Sequence, residues 1–318
     1  MQENEIIYNN PHDRYFKAVF SDKLNLESLL EGALPNIYTN IDLQTLQIDN
    51  NSYIKKELQT EYSDLVYNCN YGEQKIKIAL LFEHKSSEDV KVEIQMLRYI
   101  ISIWEYNDKQ KETYIPIIPI IFHHGNKPIQ LIAFEHFKQI PEEIKKYVPF
   151  FECELIDLAC LETEQIVNLF KIAGVSFSLI VFKYARENPL KIFDDLERFI
   201  NILQSLLSTE QGKNLIQTTT IYIGMSSVMK KEKIVSEFKK LSKEAGKIAK
   251  STWEIETEKA LEKGIEKGIE KGIEKGIEKG IEKVAIGLIQ KGFTNDTIAD
   301  VTDLSIEQVE EIRKKIQS

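Results

Sequence analysis

The pattern of apolar positions in the first fifty residues predicts helix followed by strand. In residues 11–34 the apolar side chains recur three or four positions apart, which places them on one face of a helix. This segment predicts one or two helices that end near Pro35. Residues 41–48 predict a short strand or an extended approach to one. The apolar positions of the helical segment are Phe16, Val19, Phe20, Leu26, Leu29 and Leu30.

A β-hairpin is predicted next. Apolar and polar residues alternate in 57–70, as they do in a strand with one buried face. The following segment NYGEQ contains Gly72, which is typical of a tight turn. Residues 75–86 form the returning strand. Its five consecutive apolar residues, IALLF, lead directly into the three ionisable residues 83–85, and this abrupt end of a buried strand calls for a chemical explanation.

A helix and two further strands complete the first half of the chain. Residues 88–108 have helical apolar spacing. Residues 113–125 are short and β-branched and end in glycine, so we predict a strand although Pro116 and Pro119 weaken the case for a central one. Residues 149–158 predict another strand. The order helix, hairpin, helix, strand is typical of an α/β fold.

The second half predicts helices and a repeat. Residues 163–250 are helical apart from loops around Pro189 and Gly212. In 261–283 the unit Gly-Ile-Glu-Lys recurs every four residues, so an isoleucine stripe would drift about 40° per unit around a helix. Each internal glycine also costs a helix about 1 kcal/mol. We interpret the repeat as a weak helix or a flexible spacer. The alternative is a self-associating helix whose seam consists of Ile265, Ile269, Ile273, Ile277 and Ile281.

Three short helices are predicted at the end, in residues 285–316. Gly292 separates the first two, and Thr294 and Ser305 are candidate N-caps. This region resembles a helix-turn-helix. Three glutamates lie in the first half of its last helix, however, and negative charge there disfavours insertion into a DNA groove. A packing or oligomerisation unit fits the pattern equally well.

Composition limits the cellular context. The chain has 318 residues and a net charge of −9, which argues against coating nucleic acid by bulk attraction. Residues 230–250 nevertheless hold eight lysines and three glutamates, a local balance of +5. No apolar stretch approaches the roughly 20 residues of a membrane helix, and the first residues do not predict a signal peptide. Three cysteines without a CxxC motif are typical of a reducing cytoplasm, where we expect the protein.

The charged end of the hairpin suggests metal chemistry. Glu83 and Lys85 are two apart on a strand and share a face, whereas His84 points away. Asp64 interrupts an apolar segment, YSDLVY, of the partner strand, close to the position opposite Glu83. Two carboxylates can chelate a hard divalent cation, and a lysine can offset charge that develops on a phosphate. A solvated ion pair between Glu83 and Lys85 is the alternative.

Other polar residues are weaker candidates. Gln95 and Tyr99 lie at i and i+4 on the helix that follows. In several metal-dependent nucleases that have two acids and a lysine arranged in this way, a Gln and a Tyr at the same spacing face the metal. A surface glutamine and a core tyrosine are the alternative. His123 and His124 are adjacent on a strand and face opposite ways. They therefore favour an ordinary strand end over a metal site.

Five segments between residues 11 and 125 occur in the order found in one known family: HDRYFKAVF, YSDLVY, LLFEHKSS, LRYI and PIIPIIFHHG. They resemble the recombination-promoting nucleases, also called YhgA-like transposases, of the PD-(D/E)xK nuclease superfamily. The repeat and the C-terminal helices also look like tails seen in this family. Two departures are visible: many members carry Gln at the position of Lys85, and Ser63 replaces the Pro of the PD motif.

The resemblance implies a PD-(D/E)xK restriction-endonuclease-like core, a mixed sheet flanked by helices, followed by a helical C-terminal region. In this family Asp64 and Glu83 would be metal ligands and Lys85 the catalytic lysine. Asp13 would be a further acid, or else a partner of its helix dipole. The expected divisions are a core in 1–160, a helical extension in 161–260, the repeat spacer in 261–283 and a small helical unit in 284–318.

The implied function is hydrolysis of DNA phosphodiesters by an endonuclease that uses Mg²⁺, or Mn²⁺ in its place. Gln95 and Tyr99 would then lie beside the ligands or face the phosphate. DNA and a second copy of the chain are the expected partners, without a membrane or an organic cofactor. The alternatives are a DNA-binding or recombination-accessory protein with an idle nuclease core, and a self-association module. Because Asp64, Glu83 and Lys85 are all present, the sequence favours the enzyme.

Overall fold

The computed structural model describes residues 11–49, 63–83, 92–131, 139–147 and 152–317, with the backbone alone at 63–64, 81–83, 145 and 317. The chain divides into two compact units, Met1–Trp253 and Glu254–Ser318. The first unit contains the sheet and most of the helices, and the second contains the repeat and the C-terminal helices.

Two helices and a single helical turn open the first unit, and the two helices occupy the segment for which the sequence predicts one or two. Prolines occupy the first positions of α1 and α3, where a missing N–H is tolerated. Asp22 caps α2 by accepting hydrogen bonds from the backbone N–H groups of Leu24 (2.9 Å) and Asn25 (3.2 Å). The prediction that the helical segment ends near Pro35 is confirmed. The helices are α1 (Pro11–Phe20), α2 (Lys23–Ala33) and the single turn α3 (Pro35–Tyr38).

A five-stranded mixed sheet follows, with its strands in sequence order. The first three strands are antiparallel neighbours, and the third, fourth and fifth run parallel. The predicted strands are confirmed within the described residues; 50–62, 84–91 and 148–151 lie outside them. The strands are β1 (Ile41–Asp49), β2 (Ser63–Tyr71), β3 (Gln74–Glu83), β4 (Ile117–His123) and β5 (Glu154–Asp157).

Local chemistry explains the hairpin and the proline-containing strand. Tyr71 pairs with Gln74 across a two-residue loop, and Gly72 supplies the positive φ (+58°) that such a loop requires. In β4, Pro119 precedes Ile120, the first residue that pairs with β5. Pro119 therefore lies where β4 has only β3 as a described neighbour, which explains why a strand tolerates it.

A helix, α4 (Val92–Lys109), connects the parallel strands β3 and β4 and covers one face of the sheet. It buries Met96, Tyr99 and Ile103 against Val66 of β2 and Ile121 of β4. A crossover between parallel neighbours is right-handed in nearly all proteins and returns its helix antiparallel to the strands. The N-terminal half of α4 therefore lies at the sheet end where β3 and β4 finish.

The opposite face packs against α1, α2 and the helices of the predicted extension. Phe16, Phe20, Phe122 and Phe182 form its aromatic centre, with ring centroids 5.2–6.4 Å apart. One hydrophobic cluster thus joins the sheet to the extension. The further elements are α5 (Glu142–Lys145), a 3₁₀ turn (Leu158–Cys160), α6 (Thr163–Leu169), α7 (Ala173–Tyr184), α8 (Pro189–Arg198), α9 (Ile200–Leu207), α10 (Glu210–Ser226) and α11 (Lys231–Leu241).

The loop predicted around Gly212 is wrong by a few residues. Gly212 lies in the first turn of α10, and the chain breaks earlier, at Ser208 and Thr209. Thr209 caps the helix by accepting a hydrogen bond from the backbone N–H of Gly212 (3.0 Å). A Cβ atom at position 212 would lie 2.2 Å from the carbonyl oxygen of Leu206. Close packing, not a chain break, requires this glycine.

The repeat forms part of one long helix, α12 (Lys243–Gln290), so the prediction of a flexible spacer is wrong and that of a helix is confirmed. Glutamate and lysine are good helix formers and fill half of each unit, which offsets the glycine penalty. Four isoleucines of the predicted seam remain more than half exposed, namely Ile265, Ile269, Ile273 and Ile277, whereas Ile281 is partly buried. Spacer and dimer seam remain alternative predictions for this helix.

Two short helices, α13 (Asn295–Thr302) and α14 (Ile306–Gln317), complete the second unit. Gly292 has φ +83° and ends α12. The predicted caps are confirmed: Thr294 accepts from the N–H of Thr297, and Ser305 from that of Gln308. Among the helices that the structure describes, none combines the length and apolarity needed to cross a bilayer. The small core consists of Ala285, Ile289, Ile298, Val309 and Ile312.

Candidate functional site at the end of the sheet

The two predicted acids lie on paired strands at one end of the sheet. The residue opposite Asp64 is Leu81, so Glu83 is two residues further along β3 than direct pairing would put it. Asp64 and Glu83 are thus diagonal neighbours, positions that lie about 7–8 Å apart in an antiparallel pair. Alternate positions of a strand share a face of the sheet, so these two positions are on the same face as Val66 and Ala79, which pack against α4. The predicted proximity of the two backbone positions is therefore confirmed, with a register offset.

The predicted lysine, Lys85, lies outside the described residues, as does His84. The last described residue of β3 is Glu83. The role of Lys85 therefore remains a prediction from the sequence.

Gln95 and Tyr99, the predicted pair on α4, lie in the layer that covers this face of the sheet. Tyr99 is 5% exposed and packs with Val66, Ala79 and Ile121. Gln95 is half-buried one turn nearer the N-terminus of α4, towards the sheet end that carries Glu83. The core role of Tyr99 is confirmed, and its place in the layer is compatible with the functional interpretation as well.

Asp13 lies at the same sheet end but in the opposite layer. It occupies the first turn of α1 and forms an ion pair with Lys17 (3.0 Å). Its neighbour His12 has its ring 5.3 Å from that of His124, which directly follows β4. A carboxylate in the first turn also stabilises the helix dipole. The structure therefore keeps both interpretations of Asp13.

The structure adds a buried pair that the sequence analysis missed. His123 is 1% exposed, and its Nδ1 lies 2.9 Å from Oδ1 of Asp157. Glu83 pairs with His123, and His123 with Asp157, so the three residues form one row across the ends of three strands. His124 is directed to the other layer, where its ring meets that of Phe182. The prediction that the two histidines face opposite ways is confirmed.

Asp157 is held as a carboxylate. Burial raises its pKa, but the hydrogen bonds from His123 and from the backbone N–H groups of Ile129 and Ala159 outweigh burial, and the net pKa is lowered. The sequence did carry a signal for this residue. Asp157 ends an apolar strand segment in the same way as Glu83, but only the parallel pairing of β4 with β5 brings it next to His123.

A further acid, Glu93, lies in the first turn of α4 and is 7% exposed. Burial raises the pKa of the Cys153 thiol to about 12, and the negative charges of Glu93 and Glu154 add to this rise. Glu93 therefore belongs to the layer between α4 and the sheet. Among the side chains that the structure describes, no group of three His, Cys, Asp or Glu is arranged as a metal site. The described side chains do not include those of Asp64 and Glu83.

The mixed five-stranded sheet flanked by helices is an α/β fold, and it is consistent with the PD-(D/E)xK-like core that the sequence predicts. The sequence profile of the family described as "Putative transposase, YhgA-like" matches residues 10–214. The chain belongs to this family, as the resemblance in the sequence predicts.

Curated relatives are named recombination-promoting nucleases or nuclease-like proteins. The chain is 25% identical over 206 residues to the recombination-promoting nuclease RpnD of Escherichia coli O157:H7, covering 63% of this chain and 75% of RpnD. It is also 25% identical to RpnA of strain K12, covering 57% and 62%. The inactive recombination-promoting nuclease-like protein RpnE of K12 is similar at 25%, covering 57% and 60%. The chain thus spans about three-fifths of RpnA and RpnE. No solved structure matches it.

Proposed function

We propose that this protein is a metal-dependent DNA endonuclease of the recombination-promoting type. The observation that carries the proposal is the placement of Asp64 and Glu83 at adjacent strand ends, one diagonal apart in the register. Membership of a family with relatives named nucleases supports it. The substrate is duplex DNA, and water adds across one P–O bond to leave a phosphate monoester and a hydroxyl.

Carboxylates at these positions suit Mg²⁺, or Mn²⁺, because hard divalent cations prefer oxygen ligands. Asp64 and Glu83 would hold the ion. When bound, it would supply Lewis-acid chemistry and offset charge on the phosphodiester. Lys85 would stabilise the negative charge that grows on the phosphate. Tyr99 and Gln95 would orient the ligand side of the site from α4, and the His123–Asp157 pair would brace the strand next to Glu83.

An idle core is the second candidate, because the similar relative RpnE is named inactive. In that case the chain would bind DNA, or assist recombination, without cutting it. The presence of Asp64, Glu83 and Lys85 together favours the enzyme. A degenerate site is expected to have lost at least one of these three residues.

Separate variants test the assigned roles. Asp64→Asn and Glu83→Gln should each abolish cleavage and weaken Mg²⁺ or Mn²⁺ binding in calorimetry. Lys85→Ala should lower the cleavage rate about a hundredfold, the usual scale for one contact to developing charge, and leave metal affinity nearly unchanged. Glu73→Gln is the matched control, because Glu73 is exposed in the turn at the other end of the same hairpin.

Thermal unfolding without metal separates lost chemistry from lost fold. Two nearby carboxylates repel when no cation lies between them, so Asp64→Asn should be at least as stable as the wild type. Full cleavage by either acid variant would refute the assignment. Loss of metal binding in Lys85→Ala would show that Lys85 supports the ligands instead of the phosphate.

A further inference from the structure

A cationic surface lies on the last two helical segments of the first unit. The whole chain has net charge −9, yet residues 230–250 have a balance of +5. This surface, called here the lysine surface, spans α11 and the first turns of α12. All of its lysines are exposed: Lys230, Lys231, Lys233, Lys239, Lys240, Lys243, Lys247 and Lys250.

The three glutamates of the same segment, Glu232, Glu237 and Glu244, offset only part of this charge. Glu237 is buried between Lys233 (2.6 Å) and Lys240 (2.8 Å). Glu244 turns away from the surface and pairs with Lys213 of α10 (3.2 Å). Positive charge therefore dominates the exposed side of these helices.

Two helices contribute to the centre of the lysine surface. Lys243, Lys247 and Lys250 follow one another at i, i+4 and i+7 and form one stripe of α12, on the side away from its buried alanines. The close approach at Gly246 brings α11 alongside: a Cβ atom there would lie 2.6 Å from Cβ of Lys239. Lys239 consequently joins the stripe of α12.

The centre is cationic without internal compensation. Among the described residues, Lys239, Lys243 and Lys247 form no ion pair with a carboxylate. Like charges at i and i+4 destabilise a helix, so the arrangement costs stability in the free protein. The repeat in 261–283 of the same helix, in contrast, holds six glutamates and six lysines and is neutral. Solubility alone does not require the concentration of lysines in 230–250.

We propose that the lysine surface binds the phosphate backbone of duplex DNA. This proposal rests on the proposed function, for which it names the contact that holds the substrate. The helix rises about 10.5 Å over the seven residue steps from Lys243 to Lys250. One DNA strand presents a phosphate every 3.4 Å or so of axis, about three over that length.

The chemistry of the surface predicts contacts that are independent of DNA sequence. Residues 230–250 contain no Arg, Asn or Gln, so they offer neither the planar guanidinium fork that pairs with guanine nor the side-chain amide that pairs with adenine. Lysines bind phosphates as point charges and fix the position of the duplex without identifying its bases. The surface therefore supplies affinity and position, and the site on the sheet supplies the reaction.

The test is the salt dependence of DNA binding, measured by fluorescence anisotropy in EDTA so that no cleavage occurs. The triple variant Lys239→Gln/Lys243→Gln/Lys247→Gln loses three candidate contacts. Each contact contributes about 0.9 to the slope of log affinity against log salt, so the slope should fall by about 2.7. At physiological salt the affinity should fall on the order of a hundredfold.

The matched control is Lys263→Gln/Lys267→Gln/Lys271→Gln in the repeat of the same helix. It removes the same charge from exposed positions, and glutamine has nearly the helix propensity of lysine. The control should bind with nearly the wild-type slope. Circular dichroism and thermal unfolding should show both variants folded like the wild type.

The outcomes separate this proposal from the nuclease assignment. Wild-type binding by the lysine-surface variant, or an equal loss in both variants, would overturn the proposal. Binding of the surface to anionic lipid vesicles in place of DNA would overturn it too. If the slope falls as expected in the triple variant but the wild type never cuts DNA, the proposal for the lysine surface stands and the nuclease assignment fails. Cleavage with an unaffected slope gives the reverse conclusion.

Discussion

Replacing Asp157 with asparagine tests whether the His123–Asp157 pair braces the sheet end beside Glu83. The carboxylate accepts hydrogen bonds from His123 (2.9 Å) and the Ala159 N–H (2.9 Å) at Oδ1, and from the Ile129 N–H (3.0 Å) at Oδ2. An asparagine oxygen can keep only the two bonds at Oδ1, and its amide group then faces the N–H of Ile129. A buried donor without an acceptor costs about 1–3 kcal/mol, so the free energy of unfolding should fall by about 2 kcal/mol at neutral pH.

The sign of the pH dependence follows from the lowered pKa of Asp157 in the folded state. A carboxyl group whose folded pKa is depressed contributes stability above its unfolded pKa, about 3.9. That contribution is lost as the pH falls through the folded pKa. The difference between wild type and Asp157→Asn should therefore be constant near neutrality and shrink below about pH 4.

Urea unfolding followed by circular dichroism measures both effects. Glu154→Gln is the matched control, since it removes a half-buried carboxylate of the same strand without breaking a described hydrogen bond. It should change stability by less than about 0.5 kcal/mol. The reasoning fails if Asp157→Asn is as stable as this control at neutral pH, or if its deficit grows as the pH falls.

Two further predictions concern packing and the repeat. Gly125→Ala should destabilise the first unit, because the added Cβ would lie 2.5 Å from Nε2 of His123. A variant whose thermal unfolding temperature equals that of the wild type would contradict this. Deleting residues 265–280 should leave the mass in light scattering and the cleavage rate on short DNA unchanged if the repeat is a spacer. A change from dimer to monomer would identify its isoleucines as a seam.

Local signals predicted most elements of the fold. The hairpin follows from alternation on both sides of a turn that needs Gly72 with positive φ. The strand 117–123 follows from β-branched residues, although the sequence could not show that its proline precedes the pairing with β5. Gly212 misled because a glycine can serve close packing as well as a turn. The repeat is helical, the first of its two predicted forms, because Glu and Lys have high helix propensity and offset its glycines.

Long-range pairing limits what the sequence could reveal about the site. The proximity of Asp64 and Glu83 was predictable, because a two-residue loop joins their strands, but the register offset was not. His123 and Asp157 are 34 residues apart, and only the parallel sheet makes them neighbours. No periodicity of either segment contains that information.

The measurement that tests the central claim most directly is nicking of supercoiled plasmid by the purified chain, with Mg²⁺ against EDTA. The double variant Asp64→Asn/Glu83→Gln, purified in the same way, controls for a contaminating nuclease. The account predicts nicked or linear plasmid with Mg²⁺ and the wild-type chain, and intact plasmid with EDTA or with the double variant. Cleavage that persists in EDTA, or equal cleavage by the double variant, would contradict it.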